Sequence, residues 1–475
     1  MPRKHAAGTP MRFERMLLPE VETMVTIETT PHGACHLGHE DAKDRRMQLD
    51  ADEHGMVRFH ARPAKDAKPI ELTLDCTDAH GRAVRHTVVL QPGMPASGTQ
   101  QGGVNPAPVG TLRQPLAGDP MALSNQKLLA RGYPPRPDPA KHPARYARWL
   151  KRVSQPFTQV TPTKVAHPGV RFTKRPSAMA VPPRLASPTL PLPPPMMPSP
   201  MIRSPMTRSM FNSSWNTWSG AYLTRPSSQF FWIEADWKVP GVFNFGNQLY
   251  SAAAEWIGLD NSGTDLYQSG TDSECWFNPF FGGWTITNYW MWIESLPFAP
   301  WGLPNFPLSP GDSVSVDIFV ADENGMTWFQ DGSNGGLTPA DNSVWFMIYN
   351  YSKSLSYWGT LSTGRYSQDG YTSTGYTGST AEFIIERPTD LDSGNPYPLA
   401  FFGLADMNSC YYADALYGDS PFRLEADGST PFDGNLTYIN MQDSATGNLL
   451  TIPISLPDPN SPGGYQILWI WANSV

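Results

Sequence analysis

Thr287–Pro297 reads TNYWMWIESLP, and its parity decides how the C-terminal half folds. Successive side chains of a strand point to opposite faces. Trp290, Trp292 and Glu294 therefore share one face, and Tyr289, Met291 and Ile293 the other. An aromatic floor carrying one carboxylate has the character of a substrate cleft. Runs of the same kind surround it: FFWIEADWKV (230–239), AAAEWIGLD (252–260), SVSVDIFVA (313–321), SVWFMIYNY (343–351), AEFIIE (381–386), LAFFGLA (399–405) and YQILWIW (465–471). Gly, Asn, Asp, Ser and Pro separate them, and helical periodicity is nearly absent. The pattern predicts an all-β domain over 211–475, a large antiparallel β-sandwich of two stacked sheets.

The rest of the 475-residue chain is different in kind. Residues 1–210 hold 29 Lys+Arg against 16 Asp+Glu, a net +13, whereas residues 211–475 hold 6 against 27, a net −21. All ten histidines precede residue 168, and 15 of the 16 tryptophans follow residue 210. After a polar start over 1–11, residues 12–92 carry short alternating runs such as MVTIET (24–29) and VRHTVVL (84–90). These predict a small β-sandwich of immunoglobulin-like size. Cys35 and Cys76 either pair across it or stay reduced in its core. Residues 91–210 contain 25 of the 49 prolines, a composition that favours extended or unfolded chain. Within this basic linker only Ala140–Val153 has a helical pattern. No apolar run is long enough to span a membrane, no signal peptide is visible, and the net charge of −8 argues against nucleic acid as a partner.

Absent histidine limits the chemistry of the acidic half. It supplies no base for a Ser-His-Asp or Cys-His system and no His ligands for a catalytic zinc. Catalysis there falls to a carboxylate, and no metal or cofactor is expected. In Ala381–Glu386, Glu382, Ile384 and Glu386 share a face opposite Ala381, Phe383 and Ile385; alternation alone favours both glutamates as solvated, outward residues. The single Asp392-Ser393-Gly394 lacks the partner that an aspartic peptidase needs and reads as a turn. Asp322–Gly325 lacks the spacing of a calcium loop.

The order of motifs resembles the glutamic peptidases, or eqolisins. NTWSGAYL (216–223), DWKVP (236–240), EWIGLDN (255–261), LYQSGTD (266–272), WMWIESLP (290–297), PGDSVSVDI (310–318) and AEFIIERP (381–388) follow that family's sequence of segments. The resemblance implies a concanavalin A-like sandwich of two curved sheets with the catalytic pair on the concave face, Gln268 and Glu382. It further implies that Trp256, Asp260 and Asp272 orient or bound the site, that Trp292 and Glu294 hold substrate, and that the substrates are proteins or peptides. Phe383 stands where the family has Trp, Thr217 interrupts the opening Asn-Trp pair, and Pro297–Pro310 looks like an inserted loop. Cys275 and Cys410 do not reproduce a fungal disulfide pattern. The family's acid habit implies an exported, acid-acting endopeptidase, and a monomer made as a zymogen is expected.

A carbohydrate-binding or glycoside-hydrolysing sandwich is the rival reading. Glu382 and Glu386 lie ~13 Å apart along one strand, too far for a glycosidase pair, whereas Glu294 with Glu382 stays open. The charge split predicts that the basic segments Lys141–Arg152 and Arg171–Arg184 lie across the acidic cleft as an inhibitory propeptide.

Overall fold

The computed structural model describes residues 10–17, 19–31, 33–38, 46–77, 81–93, 110–113, 122–137, 139–140, 143–161, 165–166, 170–171, 213–224, 230–244, 250–259, 265–278, 284–296, 298–321, 343–362, 367–368, 371–372, 376–390, 393–414, 418–421, 435–457 and 465–471. Asp260, Asp322–Gly325, Asp392 and the Pro-rich stretch 172–212 fall outside these.

Two of the N-terminal strands, β1 (Thr23–Glu28) and β2 (Met56–Pro63), continue the sheet of the acidic half. That front sheet runs in the order β9 (Asn435–Gln442), β3 (Trp218–Thr224), β8 (Thr380–Glu386), β5 (Tyr250–Leu259), β6 (Leu266–Asn278), β7 (Trp284–Leu296), β2 and β1, every pair antiparallel. Behind it lies a back sheet in which β4 (Phe230–Lys238) sits between Leu404–Asp414 and Ser313–Ala321, continued by Ser343–Asn350 and Leu355–Ser362. The facing sides of the two layers bury one core, with Ile257, Met291, Ile293, Phe383 and Ile385 from the front and Ile233, Ala235, Val316 and Ile318 from the back. Phe383, where the family pattern has Trp, is thus a core residue.

The described part of residues 12–92 is a sandwich completed by the acidic half. Its first sheet has five strands, Arg12–Leu17, Ala83–Pro92, Ile70–Thr77, Ala34–Gly38 and Met47–Asp50 in that order. Its second layer is β1 and β2, the end of the front sheet. The enclosed core includes Leu37, Leu49, Val57 and Leu74 together with Tyr250, Ala252, Trp276 and Ile286 of β5, β6 and β7. Cys35 and Cys76 are bonded, as neighbours on adjacent strands of one sheet instead of partners across the sandwich. Cys275 and Cys410 are buried and free.

The basic helix α1 (Pro143–Val153) corrects the expectation that Lys141–Arg152 covers the cleft. It packs on the outer face of the back sheet, with both sheets between it and the cleft. The cause is a row of carboxylates on that face. Arg152 donates from Nη1 to Asp317 at 2.6 Å and from Nη2 to Ser315 at 2.6 Å, and its Nε reaches Tyr351 at 2.9 Å. Arg148 pairs with Glu234 and stacks over the Tyr411 ring at 3.8 Å. Asp317 is fully buried, so Arg152 is the counter-charge that makes its ionisation tolerable. Replacing Arg152 by Ala leaves Asp317 buried without its cation and is expected to cost about 3–5 kcal/mol, read from the denaturant midpoint. Arg131→Ala, a control outside this network, should shift the midpoint by less than about 0.5 kcal/mol.

Candidate active site

The front sheet places the predicted residues by register. Tyr222 pairs with Glu382, Glu382 with Gly258, Gly258 with Gln268 and Gln268 with Glu294. Directly paired residues point to the same face, so Tyr222, Glu382, Gln268 and Glu294 form one row on the face turned away from the inter-sheet core, with Gly258 between the two family-implied catalytic residues. At ~4.8 Å per strand, Glu382 and Gln268 stand about 10 Å apart at the backbone. A Cβ at 258 would lie 3.4 Å from Gln268 Cβ, 3.1 Å from Trp256 Cζ3 and 2.9 Å from Leu266 Cδ1. The space a side chain would need is taken by these neighbours, so the row packs this closely only with glycine at 258.

The next row is Gly220, Ile384, Trp256, Gly270 and Trp292, and the one after it Trp218, Glu386, Ala254, Asp272 and Trp290. Trp256, Trp290, Trp292, Tyr222 and Ile384 belong to one aromatic cluster on this face. A Cβ at Gly270 would come within 2.0 Å of the Glu255 carbonyl oxygen, so the close approach of β5 and β6 under Trp256 requires glycine there. Alternation in Thr287–Pro297 thus sorted the cleft face correctly. It erred on exposure: Glu382 and Glu386 are 1% and 0% exposed, not solvated. Burial follows because this face is crowded by tryptophans.

Hydrogen bonds give each polar group a station. Gln268 donates from Nε2 to the Glu294 carboxylate, while its Oε1 is buried without a hydrogen-bond partner. Thr380 Oγ1 donates to Glu382 Oε1 at 3.0 Å. Trp256 Nε1 donates to Glu386 Oε2 at 2.9 Å. Asp272 accepts from its neighbour's amide, Ser273 N, at 3.0 Å. Sequence reasoning missed Gly258, Thr380 and Glu386 as parts of the site. Gly258 was legible as the glycine of EWIGLDN; Thr380 and Glu386 carried no signal beyond lying on the strand of Glu382. Among the described residues no cluster of three or more His, Cys, Asp or Glu side chains is arranged to hold a metal ion.

Residues 216–341 match the Peptidase A4 family, a segment that includes Trp256, Gln268, Asp272, Trp292 and Glu294. With the ordered motifs, this match supports a glutamic peptidase in the acidic half, a hydrolase of peptide bonds in proteins and peptides. Two solved structures of scytalido-glutamic peptidase with transition-state analogues are each 17% identical, with a TM-score of 0.36, covering 54% of this chain and 98% of theirs. SCP-B, an eqolisin solved with the tripeptide Ala-Ile-His, is 16% identical with a TM-score of 0.34 over the same shares. No curated protein sequence matches the chain. No helix among the described residues is long and apolar enough to cross a membrane.

Burial also fixes how stability depends on pH. Glu255 lies between the sheets, accepting from Thr271 Oγ1, which accepts in turn from Trp237 Nε1. Burial pushes its carboxyl up to about 8. Burial likewise pushes Asp50 up to about 8 and Glu274 to about 7, and raises Asp272, with like charges adding to the rise at Asp50 and Asp272. A carboxyl whose folded pKa is raised stabilises the fold fully below the unfolded pKa, and that stability is lost as pH rises through the folded value. His60, lowered by burial to about 3, acts oppositely, and only below its unfolded value near 6.5. Between pH ~6.5 and ~8 only the carboxyls act, so the melting temperature should fall by a few degrees per pH unit across that window. Calorimetry of the full chain reads this, and Glu255→Gln should flatten the slope. A melting temperature that rises with pH there would contradict the assignment.

Proposed function

We propose that the full chain is the latent form of an acid-acting endopeptidase in which Glu382 and Gln268 activate water. The observation that carries the reading is the register row that sets Glu382 and Gln268 on either side of Gly258 on one face of the sheet. Water bound between them gives its proton to Glu382 and a hydrogen bond to the unpartnered Gln268 Oε1. Its oxygen bonds to the scissile carbonyl carbon. The second hydrogen of Gln268 Nε2, the first being held by Glu294, is placed to stabilise the oxyanion. Glu382 then returns its proton to the departing nitrogen as the C–N bond breaks, one carboxyl acting as base and then acid. Thr380 fixes the Glu382 carboxylate, and Glu386 fixes Trp256 under the row. Trp256, Trp292 and Asp272 line the floor, and Glu294 orients Gln268.

A glycosidase pairing of Glu294 with Glu382 fits this arrangement poorly. The two are three strand spacings apart, roughly 14 Å at the backbone, with Gln268 bonded to Glu294 between them.

Latency is supported by burial of Gln268, Glu294 and Glu382 in the full chain, and by the path of the segment after α1. Phe157–Val160 lies beside Leu355–Ser362 on the back sheet, Val165–Ala166 pairs with Trp301–Gly302 at the edge of β7, and Val170–Arg171 pairs with Thr389–Asp390 beyond the end of β8. Val165–Ala166 and Val170–Arg171, and not α1, are the basic-segment residues that pair near the front sheet. A monomer exported to an oxidising compartment accords with the Cys35–Cys76 bond.

Casein or peptide hydrolysis at pH 3.5 is the test of the pair. Glu382→Gln and Gln268→Ala should each lower kcat by at least ~100-fold with an unchanged melting temperature; near-wild-type turnover in either removes the assignment. For latency, wild type held at pH 3.5 should acquire a new N-terminus between Arg171 and Trp215, while Glu382→Gln stays at full length. Because β1 and β2 belong to the front sheet, the N-terminal fragment should coelute with the C-terminal one after cleavage.

A further inference from the structure

β3 lies next to Glu382 on the side away from Gln268. Its residues on the face of the catalytic row are Trp218, Gly220 and Tyr222, paired with Glu386, Ile384 and Glu382. A tryptophan from outside that strand closes this side. Ser213–Trp215 runs parallel beside Ile439–Met441 of β9. From there the Trp215 ring stacks on Tyr222, with 5.5 Å between centroids and 29° between planes, and meets Trp218 at 5.4 Å. It thereby bridges Gly220, which has no side chain of its own on this face. Trp215 precedes NTWSGAYL, the first of the ordered motifs, so motif order carried no sign of it.

The row of Glu382 and Gln268 therefore ends differently on its two sides. Past Gln268 stands the Glu294 carboxylate, and past Glu382 stands the Tyr222 ring with Trp215 stacked on it. Both rings share one apolar cluster with Ile384 and Ile439. The chemistry assigns the two sides to different parts of a substrate. Gln268 faces the oxyanion, and Glu382 faces the departing nitrogen. The residue that supplies this nitrogen is thus led toward Tyr222, a single strand spacing of ~4.8 Å past Glu382. Its side chain meets aromatic surface, against which a large apolar group buries the most area.

We propose that Trp215 and Tyr222 form the subsite for the first residue on the leaving-group side of the scissile bond, where they select an aromatic or large aliphatic side chain. This rests on the peptidase reading of the row. Trp215 and Tyr222 are buried in the full chain, as are Gln268 and Glu382, so activation uncovers the subsite together with the catalytic pair. The activating cut falls before Ser213, because a cut past that residue would release Trp215 from the strand pairing that holds it.

Full-length enzyme, activated at pH 3.5, is given peptides that differ only in the residue whose nitrogen departs, Phe, Leu or Ala, with the bond cut identified by product mass. On wild type, kcat/KM for Phe should exceed that for Ala by at least about tenfold, the discrimination of an apolar pocket. Trp215→Ala should bring that Phe-to-Ala ratio close to one; loss of a merely structural support would instead lower kcat/KM for all the peptides alike and leave the ratio standing. If Trp215→Ala does not fold, Tyr222→Val reads the same ratio. A wild-type profile flat from Phe to Ala overturns the subsite without any variant, as does a ratio unmoved in the folded variant. So does an active enzyme whose new N-terminus lies past Trp215. Wild type that cleaves none of the peptides, and casein no better, strikes down the peptidase reading itself.

Discussion

The absence of a side chain at position 258 is the constraint on which the site depends. β5 runs between β8 and β6, so any side chain there would rise between Glu382 and Gln268 on the same face of the sheet. Glycine leaves the middle strand of three without a side chain on this face, and the two polar residues stand on either side of it. Gly270 serves the same geometry one row away, letting β6 lie close against Trp256. The indole is then held by Glu386, a residue outside the row of Gln268 and Glu382. Chemistry at one row is thus prepared by packing in the next two.

Much of this was legible in the sequence, because strand parity needs no knowledge of neighbours. Trp290, Trp292 and Glu294 stand on one face, Tyr289, Met291 and Ile293 on the other, as alternation required. The same alternation does not say what lies over a face, so Glu382 and Glu386 read as solvated although a tryptophan-rich face buries both. Nor does it say which strands of different segments become neighbours. Met56–Pro63 is an ordinary amphipathic run by composition, and only its register beside Trp284–Thr287 makes the N-terminal sandwich share a sheet and core with the peptidase. The partner of His60, Ser309, is 249 positions further along the chain, beyond any local pattern.

The charge split was read correctly as attraction between the halves and misplaced in space. Net charge sets the sign of a long-range force; the contact point is set by where carboxylates line up with room for a helix. On the back sheet, Glu234 pairs with Asp317 and Asp236 with Ser315 across neighbouring strands, a ladder of acceptors on one outer face. Arg148 and Arg152, one helical turn apart, meet it together. On the cleft face the carboxylates are instead interleaved with tryptophans and with Gln268, a surface suited to an extended peptide and too crowded to accept a helix.

The two faces of the acidic half therefore handle negative charge by different physical means. On the back sheet, Asp317 is neutralised by a guanidinium that is itself fully enclosed, an arrangement insensitive to pH until the carboxylate protonates. On the front sheet and between the layers, Glu255, Asp272 and Glu274 have no such cation and are neutralised by holding protons, so the cost of ionising them rises as pH rises. A fold that keeps these buried carboxyls protonated loses their stabilising contribution as pH rises through their folded values. Stability thus leans toward low pH through the burial of these carboxyls, independently of the chemistry at Glu382.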